Sequence, residues 1–291
     1  MNTNRGKETR MNTNSVFGKN ASCSFVHIRV YSWKNLFVPR CIILSVAMVC
    51  LGTGCKERRP VRTEILVAAA ASLQRPLTAI AAEFRNEHPD IAVNFTFSGS
   101  GTLLQQVLNG APVDVYITAD PKQMDTLRAK KFLRRGYPKA LIGNTLVLVQ
   151  RLDRSPVKSL EELATDRMTR IALGEPRSVP AGMYAEQSLA NAGISDLLAG
   201  KKVYANDVRQ VLTYVETGAV DAGFVYGSDA QSSANARIAF VIPESFHEPI
   251  RYYSSVLSST EHASESETFE KYLRSESARA IFQGLGFTPI Q

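Results

Sequence analysis

The sequence runs to 291 residues, 44% of them hydrophobic and 21% charged, which is comfortable for two domains with real cores. All four cysteines (Cys23, Cys41, Cys50, Cys55) and the single tryptophan, Trp33, fall within the first 55 residues, so disulfides, cysteine-based zinc sites and cysteine nucleophiles are excluded from the remainder. The net charge of +7 is equally lopsided: the first 55 residues hold seven of the 34 Lys and Arg and one of the 27 Asp and Glu, leaving 27 against 26 and no charge-based case for nucleic acid as a partner.

Basic residues through Arg40 precede the apolar run Cys41-Ile-Ile-Leu-Ser-Val-Ala-Met-Val-Cys-Leu-Gly-Thr-Gly-Cys55. The run is too short to span a bilayer, and residues 1–55 read as an export signal. Gly52, Thr53 and Gly54 are small residues that serve either plain cleavage or lipoprotein processing, and Cys55 becomes the acylated residue in the second case. A lipoprotein signal has an apolar residue where Gly52 stands. Met-Asn-Thr-Asn occurs at 1–4 and again at 11–14, which makes Met11 a second candidate start. Residues 56–62, charged and containing Pro60, form a tether without fixed structure.

The body opens on Ile65-Leu-Val-Ala-Ala-Ala-Ala-Ser-Leu73, a short buried strand that gives way at Ser72 to helical spacing with Leu77, Ile80, Ala81 and Phe84 on one face. Ser72 is placed as an N-cap and Pro76 falls in the first turn. Helix N-termini direct unpaired N–H groups and partial positive charge outward, which suits an anion. Ile91-Ala-Val-Asn-Phe-Thr-Phe97 alternates as a strand and ends in Ser98-Gly-Ser-Gly-Thr102. A helix follows to Asn109-Gly110. The small residues there let a ligand approach the backbone closely. No Gly-Lys-Ser/Thr follows, and Gly-x-Ser-x-Gly is absent, so neither a phosphate loop nor a hydrolase elbow is present.

A strand at 113–118 and a helix started by Asp120-Pro121 come next. The apolar stretch 141–149, broken at Gly143-Asn144, reads as a crossing into a second lobe. That lobe repeats the theme. A strand at 170–174 leads through a proline-rich turn to a helix at 183–192. Asn206-Asp207 caps a helix bearing Val208, Val211, Leu212 and Val215, and strands follow at 222–226 and 240–243. Residues 252–257 cross back, and helices at 264–274 and 277–283 finish the chain. Alternating strands and helices with two crossings predict an α/β fold of two lobes around a cleft, with residues 63–143 plus 250–291 in lobe 1 and 144–249 in lobe 2.

These residues carry a resemblance. Ala68-Ala-Ala-Ala-Ser-Leu73, Ser98-Gly-Ser-Gly-Thr-Leu103, Gly110-Ala-Pro-Val-Asp-Val-Tyr-Ile-Thr-Ala-Asp120, Gly143-Asn-Thr-Leu146, Val179-Pro-Ala-Gly182, Asp207-Val-Arg209 and Val225-Tyr-Gly-Ser-Asp229 are similar, in order and spacing over roughly 63–290, to the periplasmic molybdate-binding proteins of ABC-type importers. The resemblance implies a type II periplasmic binding protein fold holding a molybdate or tungstate oxyanion in the cleft. It implies hydroxyl and backbone N–H donors from Ser72 and Ser100, backbone N–H donors from Ala181 and Val208, and the phenol of Tyr226. It further implies no catalysis and no cofactor beyond the ligand, with molybdenum bound only as the oxyanion. The expected state is a periplasmic or otherwise extracytoplasmic monomer that serves an ABC permease and its ATPase and meets the membrane only through a lipid at Cys55. Glycines at 99 and 101 stand where that family also has serines, implying a less constrained loop.

Elementary energetics support neutral ligands, because hydrogen bonds to a charged group contribute about 1.5–3 kcal/mol each without any lysine. Arg75, Arg177 and Arg209 read as solvated or acid-paired, and Asp207 as a cap. The same architecture could serve sulfate, which a ring of donors matched to a larger oxyanion would grip poorly, or phosphate, which needs an acceptor when protonated. A rival of another class is a secreted serine hydrolase using Ser72 or Ser100. It requires a histidine beside the nucleophile, and His88, His247 and His262 all lie outside the junction loops.

Overall fold

The computed structural model describes residues 62–290, except 137 and 139. The export signal with Cys55, and the tether up to Val61, lie outside the described residues. The first sheet has the order β2-β1-β3-β10-β4, built from β1 (Thr63–Ala70), β2 (Ile91–Ser98), β3 (Val115–Thr118), β4 (Ala140–Gly143) and β10 (Arg251–Val256). β1 runs parallel to β2 and β3, while β10 is antiparallel to β3 and β4. Ile65 and Val67 of β1 are fully buried, as expected of a central parallel strand covered on both faces.

The second sheet has the order β7-β6-β8-β5-β9 and contains β5 (Leu146–Arg151), β6 (Ile171–Gly174), β7 (Lys202–Ala205), β8 (Ala222–Tyr226) and β9 (Ala236–Val241). It repeats the first in plan: β6 is parallel to β7 and β8, and β5 is antiparallel to β8 and β9. The chain passes between the sheets at β4 to β5, through Asn144 and Thr145, and again between β9 and β10.

Helices follow the parallel strands. They are α1 (Gln74–Glu87), α2 (Ser100–Leu108), α3 (Pro121–Ala129), α4 (Pro180–Asn191), α5 (Val208–Glu216) and the single turn α6 (Gly227–Ala230), with α7 (Ala263–Tyr272) and α8 (Glu276–Gly284) at the end. α1 buries Leu77, Ile80 and Phe84 completely, each contributing roughly 1.5–3 kcal/mol of transfer free energy. Phe84 meets Phe269 of α7 edge-on at 5.1 Å, so the end of the chain completes the core of the first lobe.

Local signals place the helix boundaries where they are chemically explicit. Asp120 accepts from the N–H of Lys122, Asp207 from that of Gln210, and Gly110 and Gly193 follow their helices with φ of 88° and 71°. Ser72 departs from expectation. It lies in a 3-10 turn, Ala71–Leu73, and α1 begins at Gln74 with no side-chain cap, because the Ser72 hydroxyl is engaged by Tyr252 instead. Two edge strands also differ. β7 has no counterpart among the expected strands, its residues carrying no apolar alternation and Tyr204 being exposed, and β9 spans Ala236–Val241 where a strand is expected at 240–243.

Candidate anion-binding site

In both lobes the carboxyl ends of the parallel strands, and the helices that start there, face one cavity, as expected for ligand sites of open α/β sheets. The cavity is small, and residues of both lobes line it. Ser72, Ser100, Ala181, Val208 and Tyr226 all line it. Ser72 and Ser100 come from the first lobe, after β1 and β2. Ala181, Val208 and Tyr226 come from the second, after β6, β7 and at the end of β8.

The first N–H groups of a helix have no intrahelical acceptor. Ser100 and Val208 are the first residues of α2 and α5. α4 begins with Pro180, which has no N–H, so Ala181 carries the first free donor of that helix. Two side chains add hydroxyls. Ser100 Oγ and Tyr226 Oη are buried with no hydrogen-bond partner among the described residues. Leaving a buried hydroxyl unsatisfied costs roughly 1–3 kcal/mol, an expense that an oxyanion accepting from both would remove. Burial raises the Tyr226 phenol well above its ordinary range, followed by the influence of Tyr252, so it stays protonated and able to donate.

The walls otherwise carry no formal positive charge among the described residues. Among the described residues that line the cavity there is no Lys, Arg or His, and the one carboxylate, Asp207, is occupied by the N–H of Gln210 at 2.9 Å. Arg177 is an exposed partner of Glu175. Arg75 and Arg209 act instead on Asp229, whose carboxyl is pushed up to about 7 by burial against their opposing influence. None of the histidines among the described residues lines the cavity. His88 packs at a tilt against Phe84, His247 Nδ1 meets the carbonyl of Glu248, and His262 precedes α7.

Glycines 99 and 101 serve a purpose other than loop freedom. A Cβ on Gly99 would lie 2.6 Å from the carbonyl oxygen of Asn206, and one on Gly101 2.7 Å from Cα of Ser178. Both neighbours belong to the opposite lobe, so these glycines permit backbone to meet backbone across the cleft. The Gly101 N–H accordingly points to Ser178 O at 2.8 Å, away from the cavity. Two groups escaped the sequence reading altogether: Tyr252, whose Oη lies 2.9 Å from Ser72 Oγ, and Asn144, which donates to Tyr252. Asn144 stood within a quoted motif, but nothing local links it to a tyrosine 108 residues away.

A family model described as bacterial extracellular solute-binding protein matches residues 65–288. The chain belongs to the bacterial extracellular solute-binding proteins. Among relatives of this solute-binding protein, the molybdate-binding protein ModA of Escherichia coli (strain K12) is 35% identical over 266 residues, covering 88% of this chain and 98% of that one. A Bacillus subtilis (strain 168) relative, provisionally named the ABC transporter substrate-binding lipoprotein YvgL, is 37% identical over 228 residues, covering 78% and 87%. The solved periplasmic molybdate-binding protein of Azotobacter vinelandii superposes with a TM-score of 0.73 at 27% identity, covering 78% of this chain and all of that one.

Proposed function

We propose that this solute-binding protein captures molybdate outside the cytoplasm and delivers it to an ABC importer, without catalysing a reaction. One observation carries the reading: two buried hydroxyls, Ser100 Oγ and Tyr226 Oη, have no partner among the described residues and converge with helix N-termini on a cavity that no cation lines. A fully deprotonated tetrahedral dianion accepts from every such donor. Hydroxyl and N–H groups of both serines, the N–H groups of Ala181 and Val208, and the Tyr226 phenol make about seven donors, on the order of 10–20 kcal/mol gross before the costs of association and closure. Relatives named for molybdate at this identity favour it over sulfate. Tungstate, of nearly the same size, is a second cargo of the same site. The small residues before Cys55, together with the name of the Bacillus relative, favour a lipid anchor at that cysteine.

Calorimetry on the purified protein tests the proposal. Molybdate is expected to bind stoichiometrically, with sulfate at least about a hundredfold weaker because a ring matched to the larger anion grips the smaller one poorly. Equal affinity for the two would overturn the assignment.

A further inference from the structure

Ser100 stands between two glycines, and a side chain at either would strike backbone of the opposite lobe. Closure therefore demands a Gly-Ser-Gly turn, and such a turn is loose. Glycine ranges over φ and ψ more widely than any other residue, so its neighbours on the chain do little to hold the central serine in one place. Yet Ser100 is fully buried, and its Oγ is one of the hydroxyls without a partner among the described residues. A donor kept free for a ligand cannot anchor itself.

The peptide unit that joins Ser100 to Gly101 is held at both ends from inside its own lobe. Tyr116, fully buried on β3, donates from Oη to the Ser100 carbonyl at 2.7 Å. Burial raises that phenol far above its ordinary range, so the hydrogen stays in place. A phenol has one hydrogen, and a carbonyl can only accept it. Tyr116 must therefore accept from the adjacent Gln123 amide, which turns Gln123 Nε2 toward Tyr116 and toward Thr118 Oγ1 at 2.8 Å. Gln123 Oε1 is left facing the Gly101 N–H at 3.3 Å. Gly101 is the second residue of α2, so this N–H has no acceptor within the helix. In the shut protein it is shared with Ser178 O of the second lobe at 2.8 Å. When the lobes part Ser178 leaves, and Gln123, buried on α3, remains.

We propose that Tyr116 and Gln123 are positioning residues that clamp the Ser100–Gly101 peptide within the first lobe, so that Ser100 is set for its ligand before the second lobe arrives. The inference rests on the oxyanion-receptor reading for what Ser100 meets, and adds how a loose turn is kept ready to meet it. Such preorganisation acts on encounter. Only molecules with the turn in place can capture an anion, so apparent affinity and association rate both scale with the fraction so arranged. Once the lobes have shut, the anion and Ser178 hold the turn themselves, and the clamp no longer decides how fast the anion leaves.

Stopped-flow association and displacement of molybdate test this on purified wild type, Tyr116→Phe and Gln123→Met. The first variant removes the carbonyl anchor and keeps the ring; the second removes the N–H anchor at similar side-chain length. Each is expected to lower the association rate about three- to tenfold and to leave the dissociation rate within about twofold of wild type. An unchanged association rate, as from residues that only support the fold and lower the melting temperature, overturns the proposal, and so does a loss carried by dissociation. If Tyr116→Phe yields no folded protein by thermal melting, Gln123→Met decides. Amide NMR relaxation at Ser100 and Gly101 in the ligand-free proteins gives a second readout that needs no anion. One ordered conformation is expected in wild type and microsecond-to-millisecond exchange in both variants, whereas exchange in wild type, or none in the variants, counts against the clamp. Failure of wild type to bind molybdate would refute the receptor reading alone, since the relaxation data still report whether the turn is held.

Discussion

The backbone N–H of Gly101 in the first lobe donates to the carbonyl of Ser178 in the second across 2.8 Å. Nearby, the buried Tyr184 phenol of the second lobe donates to Ala119 O of the first at 3.0 Å. The structure is therefore that of shut lobes, held by direct contacts between them. A neutral hydrogen bond contributes about 0.5–1.5 kcal/mol net. Removing the second latch in Tyr184→Phe should weaken molybdate binding by about two- to tenfold. The loss is expected in the dissociation rate, measured by stopped-flow displacement, because the latch forms only once the lobes have met.

Ser100→Ala and Tyr226→Phe should move affinity and stability in opposite directions. Each removes a donor to a charged ligand, so calorimetry should show weaker molybdate binding by about 1.5–3 kcal/mol. Each also removes a buried hydroxyl that lacks a partner among the described residues. The ligand-free protein should therefore be as stable as wild type or more so in urea, whereas a loss of stability would mean the hydroxyl is satisfied internally.

α4 packs onto β6 through paired glycines. A Cβ at Gly182 would sit 1.9 Å from the carbonyl oxygen of Gly174, a backbone atom that cannot rotate away. Gly182→Ala should lower unfolding free energy by about 1–3 kcal/mol, read as a shift in urea midpoint at constant slope. Ala181, the adjacent residue, is a proposed donor, so anion affinity should fall with it.

Asp229 sets a pH dependence whose sign can be worked out. Burial pushes its carboxyl from the model-compound value of 3.8 to about 7. The native state then binds the proton more tightly than the unfolded chain, so its contribution to stability is full below a pH of about 4 and is lost as pH rises through about 7. The loss is up to about 4 kcal/mol for a shift of this size. Asp229→Asn should flatten the decline in urea midpoint between pH values of about 5 and 8. Asp120, also raised chiefly by burial, contributes in the same direction in both proteins and cancels in the comparison.

The legible parts of the molecule were those written locally. Asp120, Asp207, Gly110 and Gly193 announce helix ends within a few residues. The strand, small-residue turn and helix at 65–80 and 91–108 gave the positions of Ser72 and Ser100 before any three-dimensional argument. Alternation failed at β7 and β9, because an edge strand exposed on one side, with Tyr204 or Val241 facing solvent, has no strict pattern to keep. The long-range contacts were silent. Tyr252 reaches Ser72 across 180 residues and Tyr184 reaches Ala119 across 65, and no propensity encodes such partners. Glycines 99 and 101 were noticed for lacking a side chain, and Gly99 does line the cavity, but such a gap reads the same whether it makes way for a ligand or for another stretch of backbone.

The proposed donors are divided between the lobes, serines on one side and the alanine, valine and tyrosine positions on the other. On that assignment neither half would hold a dianion alone, and grip would be a property of the joint and not of either surface. A membrane partner that pried the halves apart would then unload the cargo by geometry, with no competing solute and no change of protonation required.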